Sequence, residues 1–170
     1  MFNASKTVVV LFTKNRLKES DYPNKLLVSG NPVAYSNSAK YLGVTLDSKL
    51  TWTEHFNAQL KKCKQYLFTL KKSFSRAWGP KPVYIRWVYI AIVRPKLCYA
   101  SVAWGHTVRL DTRKEALKKL NQLPATMITP VQKSTPVKTM EVLYDLIPLH
   151  LFVQKRSNSF IIQEHALHGA

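Results

Sequence analysis

Phosphoryl transfer on nucleic acids needs carboxylates gathered around paired metal ions, so the acidic residues are the first place to look for chemistry. The chain has nine Asp and Glu in 170 residues. Glu19 and Asp21 stand in a polar stretch, Asp47 closes an apolar run, and Asp111 follows a glycine-containing segment. Glu54 and Glu115 each come three residues after a threonine, Thr51 and Thr112, the spacing of a helix capping box. Glu141 and Asp145 fall one helical turn apart, and two carboxylates alone make no metal cradle. No Gly-x-x-x-x-Gly-Lys phosphate loop, Gly-x-Ser-x-Gly elbow or His-Glu-x-x-His pattern occurs. Cys63 and Cys98 are isolated, which suits two core thiols in a reducing compartment, and His165 and His168 have no further ligands beside them. The chain alone is expected to be inactive as an enzyme, with no metal site.

The cations carry the stronger message. Twenty-six Lys and Arg against nine acids leave a formal charge of +17 and a pI near 10.0. Such a surplus repels itself unless a polyanion screens it, which makes nucleic acid the first expected partner. Five lysines, Lys61, Lys62, Lys64, Lys71 and Lys72, cluster with almost no local acid to neutralise them. A membrane is not expected: the longest apolar run, residues 87–93, falls far short of the roughly 20 needed to span one. The opening residues also lack the apolar core and cleavage site of a secretory leader, and the expected location is intracellular.

These groups must be positioned by an α+β chain. Residues 7–13, 25–28 and 41–46 are β-branched or apolar runs expected as strands, with Ser29-Gly30-Asn31-Pro32 as a turn. The expected fold is thus a small antiparallel hairpin region at the N-terminus followed by a mainly helical bundle. Phe56, Leu60, Cys63, Leu67, Leu70 and Phe74 recur at alternating spacings of four and three, one stripe of a helix opened by Thr51. Lys61, Lys62 and Lys72 are read on the opposite side of it and Lys64 and Lys71 beside it; Trp52 is read as a core anchor where strand passes to helix. Pro80 and Pro82 start a helix whose residues 83–93 are apolar nearly all round, predicting burial, and Pro95 kinks or ends it. Arg86 and Arg94 interrupt it, as template contacts or as snorkelling edge residues. Residues 105–111 look like a linker. Thr112 opens a helix with Ala116, Leu117, Leu120 and Leu123 inward and Lys114, Lys118 and Lys119 outward, broken by Pro124. Thr135-Pro136 starts another through Leu143 and Leu146, ended by Pro148, and residues 149–167 form a last amphipathic helix.

The order of motifs is itself specific. Asn3-Ala4-Ser5-Lys6-Thr7 leads into a strand; Tyr41-Leu42-Gly43-Val44-Thr45-Leu46-Asp47 is followed by Leu50-Thr51-Trp52 and then by basic helices. This resembles the C-terminal part of a non-LTR retrotransposon reverse transcriptase of the jockey-like or I-like kind. Arg94-Pro95-Lys96-Leu97-Cys98-Tyr99 with Trp104-Gly105 is similar to the family's thumb, and Met140-Glu141-Val142-Leu143 with Pro148-Leu149-His150 to its connection segment.

The resemblance implies three regions: residues 1–50 as the end of a palm with a primer-grip-like hairpin, 51–108 as a thumb-like helical region, and 109–170 as a connection that precedes a ribonuclease H. It places the catalytic aspartates upstream of Asn3 and the ribonuclease H carboxylates downstream of Ala170, so that Mg2+ belongs to the full-length parent enzyme and no cofactor to this chain. By the same likeness Lys6 is a candidate general acid at the leaving pyrophosphate. Tyr41, Leu42 and Gly43 would grip primer, and the five lysines would hold the backbone of an RNA template and DNA primer. The sequence itself does not separate nucleus from cytoplasm, and the resemblance implies the nucleus. The pattern departs from the family at Pro124 and at Thr129-Pro130, as in a decaying or truncated copy. The alternative is a domesticated, non-catalytic module that binds RNA or a protein through the same helices; a basic membrane-surface protein is a weaker third.

Overall fold

The computed structural model describes residues 7–15, 26–28, 30–72, 81–128 and 136–168. It is an α+β chain, and its contacts divide it into two units, Met1–His55 and Phe56–Ala170. The boundary expected at residue 108 does not coincide with this division, since residues 56–170 fall together in the second unit.

The first unit holds two antiparallel hairpins, β1 (Leu27–Val28) with β2 (Asn31–Pro32) and β3 (Ser38–Tyr41) with β4 (Val44–Asp47). Residues 7–13, expected as a strand, form one isolated bridge, Val9 to Tyr35, with backbone bonds from Val9 to Ala34 and Thr13 to Ser48. Their partners are loop residues that offer no continuous ladder. The run 41–46, read as one strand, is folded back on itself. Tyr41 pairs with Val44 across a two-residue turn in which Leu42 (φ 45°) and Gly43 (φ 80°) both take the left-handed region, the geometry of a type I′ turn.

Asp47 ends β4 and organises the passage into the first helix. Its carboxylate accepts backbone N–H bonds from Thr51 (2.8 Å) and Trp52 (2.8 Å) and the Thr51 hydroxyl (2.9 Å). The helix α1 (Thr53–Lys72) begins two residues after Thr51, so Trp52 rather than Thr51 is its cap residue. Leu50 (φ 50°) and Trp52 (φ 62°) are both left-handed, a conformation costing roughly 1–2 kcal/mol per non-glycine residue, which the Asp47 bonds offset. Trp52 is buried, as expected of an anchor. Burial raises the Asp47 pKa, but the bonds from Thr51 and Trp52 outweigh it and hold the carboxyl below its ordinary value. A carboxyl with a folded pKa below its unfolded one contributes stability above the unfolded pKa, about 3.9, and loses it as pH falls through the lowered value. Urea unfolding of the wild type should therefore weaken between roughly pH 4 and the lowered pKa more steeply than that of Asp47→Asn. Parallel pH profiles for the two proteins would refute this role.

In the second unit Phe56, Leu60, Cys63 and Leu67 of α1 are buried and Leu70 half-buried, so the stripe is as expected; Phe74 lies outside the described residues. The segment after Lys81 differs. α2 (Pro82–Val88), a π-helical turn (Tyr89–Val93) and α3 (Arg94–Leu97) run on without interruption. Pro95 has no N–H to give to the preceding turn, and the Arg94 N–H instead reaches back five residues to the Tyr89 carbonyl. The helix is not buried all round: Ile85, Tyr89, Val93 and Leu97 face inward, while Val83 (71% exposed), Tyr84 and Trp87 (64%) face out. Apolar composition without a polar face hid a one-sided stripe at spacing four.

The expected linker is a 3-10 helix, Gly105–Arg109, after α4 (Ser101–Trp104). Both pack on α7 (Leu149–His168). Gly105 is buried, and a Cβ there would stand 2.8 Å from Ser157 Cβ, so the close approach of the two segments requires glycine. α5 (Asp111–Ile128) runs straight through Pro124, which is buried rather than helix-breaking. Leu117, Leu120, Ala125 and Ile128 pack inward on either side of it, and this burial outweighs the missing backbone bond, worth about 3 kcal/mol in an isolated helix. α6 (Val137–Leu143) stops short of Leu146. The Leu146 N–H bonds to the Glu141 carbonyl and the Asp145 N–H to Val142, with Asp145 at φ 48°: a Schellman ending with aspartate in the usual glycine position.

Candidate nucleic-acid interface

Tyr41 and Leu42 project from the tip of the β3–β4 turn, 67% and 73% exposed, with Gly43 beside them. A bulky apolar side chain held in the left-handed region is a local conformational cost. Leu42→Asn should stabilise the first unit by about 0.5–1 kcal/mol, because Asn-Gly is a preferred I′ pair. Urea midpoints of the two proteins would show it, and a lower midpoint in the variant would count against the turn.

Lys61, Lys62, Lys64, Lys71 and Lys72 are all exposed on α1. At about 100° per residue, Lys61 and Lys72 lie nearly opposite Cys63, Lys64 and Lys71 on one flank, and Lys62 on the other. They spread over three sides and do not converge on one point. None of the ion pairs among the described residues involves them, whereas on α5 Lys114 pairs with Asp111 (2.9 Å) and Lys118 with Glu115 (3.4 Å). Lys6 lies outside the described residues. Lys81, Lys96, Arg109, Lys155 and Arg156 are further exposed cations, with Lys96 Nζ 4.1 Å from the centre of the Tyr66 ring; their scattered positions gave no periodic signal.

The two arginines considered as template contacts are tied into the protein. Arg86 Nε donates to the Tyr144 carbonyl (2.9 Å), and its guanidinium stands 3.8 Å from the Asp145 carboxylate. Arg94 is buried, donates to the Ile147 carbonyl (2.6 Å) and stacks over the rings of Tyr89 (5.1 Å) and Phe152 (5.0 Å). Both clasp the segment between α6 and α7. A relay missed in the sequence lies beside them: the Tyr89 hydroxyl donates to Asn121 Oδ1, and Asn121 Nδ2 donates to Glu141 (2.5 Å). Glu141 therefore has structural work. Burial pushes the Tyr89 hydroxyl up to about 12 and the thiols of Cys63 and Cys98 to about 11, so all three are neutral at physiological pH. Among the described residues no three His, Cys, Asp or Glu are grouped to hold a metal ion. No described helix is long and apolar enough to cross a membrane.

A probable RNA-directed DNA polymerase from transposon BS of Drosophila melanogaster is 32% identical over 103 residues, 61% of this chain and 11% of that protein. The retrovirus-related Pol polyprotein from type-1 retrotransposable element R1 4 of Nasonia vitripennis is 26% identical over 129 residues, 74% of this chain and 31% of the relative. The chain is similar to part of the Pol polyproteins of non-LTR retrotransposons. A second Pol polyprotein of that kind, from element R1 of Nasonia vitripennis, extends the likeness to 151 residues, 87% of this chain, at 18% identity. The chain spans about a third of the R1 4 polyprotein and about a tenth of the BS polymerase. No protein-family profile matches the chain, and no solved structure does. The retrotransposon likeness agrees with the motifs of the sequence.

Proposed function

We propose that this chain is the end-of-palm, thumb and connection portion of a non-LTR retrotransposon reverse transcriptase, which holds template and primer through backbone phosphates and does not itself complete the metal-dependent chemistry. The observation that carries it is the set of five exposed α1 lysines without an acidic partner among the described residues. Unpaired ammonium groups on a chain of charge +17 are free to displace counterions from phosphates. Spread over three sides of α1, they suit a sequence-independent grip on a wrapped backbone better than recognition of one base. Tyr41, Leu42 and Gly43 supply the apolar tip that bears on primer, and Lys6 remains the proposed general acid of the parent enzyme.

The test is fluorescence anisotropy of the 170-residue chain with a labelled RNA–DNA hybrid over a range of salt concentrations. Binding should be nearly indifferent to sequence and fall steeply with salt. Replacing all five lysines with glutamine should lower the slope of log K against log salt by about 0.9 for each phosphate that is no longer neutralised. Leu42→Asn should weaken binding to the hybrid while raising stability. Indifference to the hybrid at low salt, or Mg2+-dependent nucleotide incorporation by the chain alone, would sink the proposal.

A further inference from the structure

We infer that one face of α7, formed by Phe152, Lys155, Arg156 and Ser159, is a phosphate-binding subsite that takes a backbone phosphate of a nucleic acid. The inference deepens the template–primer reading and rests on it for the identity of the phosphate's owner. These four residues sit at i, i+3, i+4 and i+7, the spacing that places side chains on one helical face. Together with Ile147 they line a cavity of about 270 Å3. That is slightly below the roughly 300–1,000 Å3 of pockets for drug-sized ligands and suits a smaller group.

Charge separates this cavity from its larger neighbour. The groove of about 830 Å3 beside α5 and α6 contains Lys114, Lys118 and Lys138 but also Glu115, Glu141 and Asp145, so its formal charges cancel and it favours no anion. Among the described residues the α7 cavity is lined by two cations and no carboxylate. Neither Lys155 nor Arg156 joins an ion pair among the described residues. The Ser159 hydroxyl donates to the Lys155 carbonyl (2.8 Å), which leaves the ammonium and the guanidinium as the donors to an anion.

The floor is fixed from behind. Arg94 stacks on Phe152 at 5.0 Å and donates to the Ile147 carbonyl at 2.6 Å, so the two apolar lining residues are held by one buried cation. Arg94 has no carboxylate within ion-pair distance among the described residues, and its buried Nε has no hydrogen-bond partner. An uncompensated charge in a low-dielectric interior projects its field further than one in water, and here it lies behind the cavity wall. Two donors in front and a third positive charge behind give an anion site whose cations have no acidic partner among the described residues.

The test uses the full chain and a Lys155→Gln/Arg156→Gln double variant, whose substitutions are exposed and should leave unfolding in chloride unchanged within about 0.5 kcal/mol. Inorganic phosphate, compared with sodium chloride at equal ionic strength, should raise the Tm of the wild type more than that of the variant. In hybrid binding, the variant's slope of log K against log salt should fall by about 1–2. A wild type that binds the hybrid with the same slope as the variant overturns the subsite, as does an equal response of both proteins to phosphate. A variant-sensitive phosphate response in a wild type that ignores the hybrid supports the subsite and overturns the template–primer reading alone.

Discussion

Trp104→Ala should cost the helical unit about 3–5 kcal/mol, enough to unfold it if its stability lies at the low end of the usual 5–15 kcal/mol. Trp104 is fully buried at the end of α4, and its ring meets Phe56 of α1 edge-on with centroids 5.8 Å apart. Its indole N–H donates to the Tyr99 carbonyl (2.9 Å), so truncation leaves a cavity and removes that hydrogen bond as well. The Trp104 carbonyl in turn accepts the Thr107 hydroxyl (2.6 Å), whose oxygen is bonded by Arg113, and Arg113 lies over the other partner, Phe56, at 5.0 Å. Trp104→Phe keeps the aromatic volume in part and should cost about half as much. Urea denaturation followed by far-UV circular dichroism distinguishes the two; equal midpoints for Trp104→Ala and wild type would show that the packing is not what it looks like.

Arg94→Ala is expected to cost about 2–4 kcal/mol, through the loss of two ring stacks and of the donor to Ile147. The informative comparison is Arg94→Met. A buried guanidinium without a carboxylate carries a desolvation penalty, and methionine of similar reach fills the space between Tyr89 and Phe152 without it. Arg94→Met should therefore recover at least half of the alanine loss, while Arg94→Lys, whose ammonium cannot lie flat between two rings, should recover less. Thermal unfolding of the three variants gives the order. If lysine proves better than methionine, the positive charge itself is what the site needs.

How far the fold was legible depends on which interactions are local. The α1 stripe was visible because positions 56, 60, 63 and 67 carry the helical period in residues that are apolar on one side and charged on the other. Trp52 was visible as an anchor, but the device that holds it, the Asp47 carboxylate, reaches across a loop in which Leu50 and Trp52 take conformations their side chains disfavour. Leu42 is of the same kind: propensity argues against leucine in a I′ turn, and pairing of β3 with β4 imposes it. Pro124 misled because burial of α5 on both sides of it outweighs a rule that holds for isolated helices. At Gly105 a flexible linker and a close helix contact look alike in one dimension; only Ser157, fifty-two positions later, distinguishes them.

The candidate site shows the same division. The α1 lysines were legible because charge without a local partner can be counted along a chain. Arg86 and Arg94 were not, because their partners are carbonyls at 144 and 147 and rings at 89 and 152, groups that no charge pattern marks. Lys155 and Arg156 had no periodic run of cations around them, and it is the cavity beside Phe152 that singles them out.

The wide turn at Tyr89–Val93 bears on how this chain is to be compared with others. In an ordinary α-helix positions 89 and 94 would point about 140° apart, whereas the wider turn, closed by the Arg94 N–H bond to the Tyr89 carbonyl, brings them closer to one direction, and the guanidinium lies over the phenol ring. The segment thus carries one residue more than an uninterrupted helix between the same neighbours. An alignment of this stretch with a relative whose helix is regular should open a single-residue gap among positions 90–92, and one that forbids it will pair Arg94 with a position facing elsewhere.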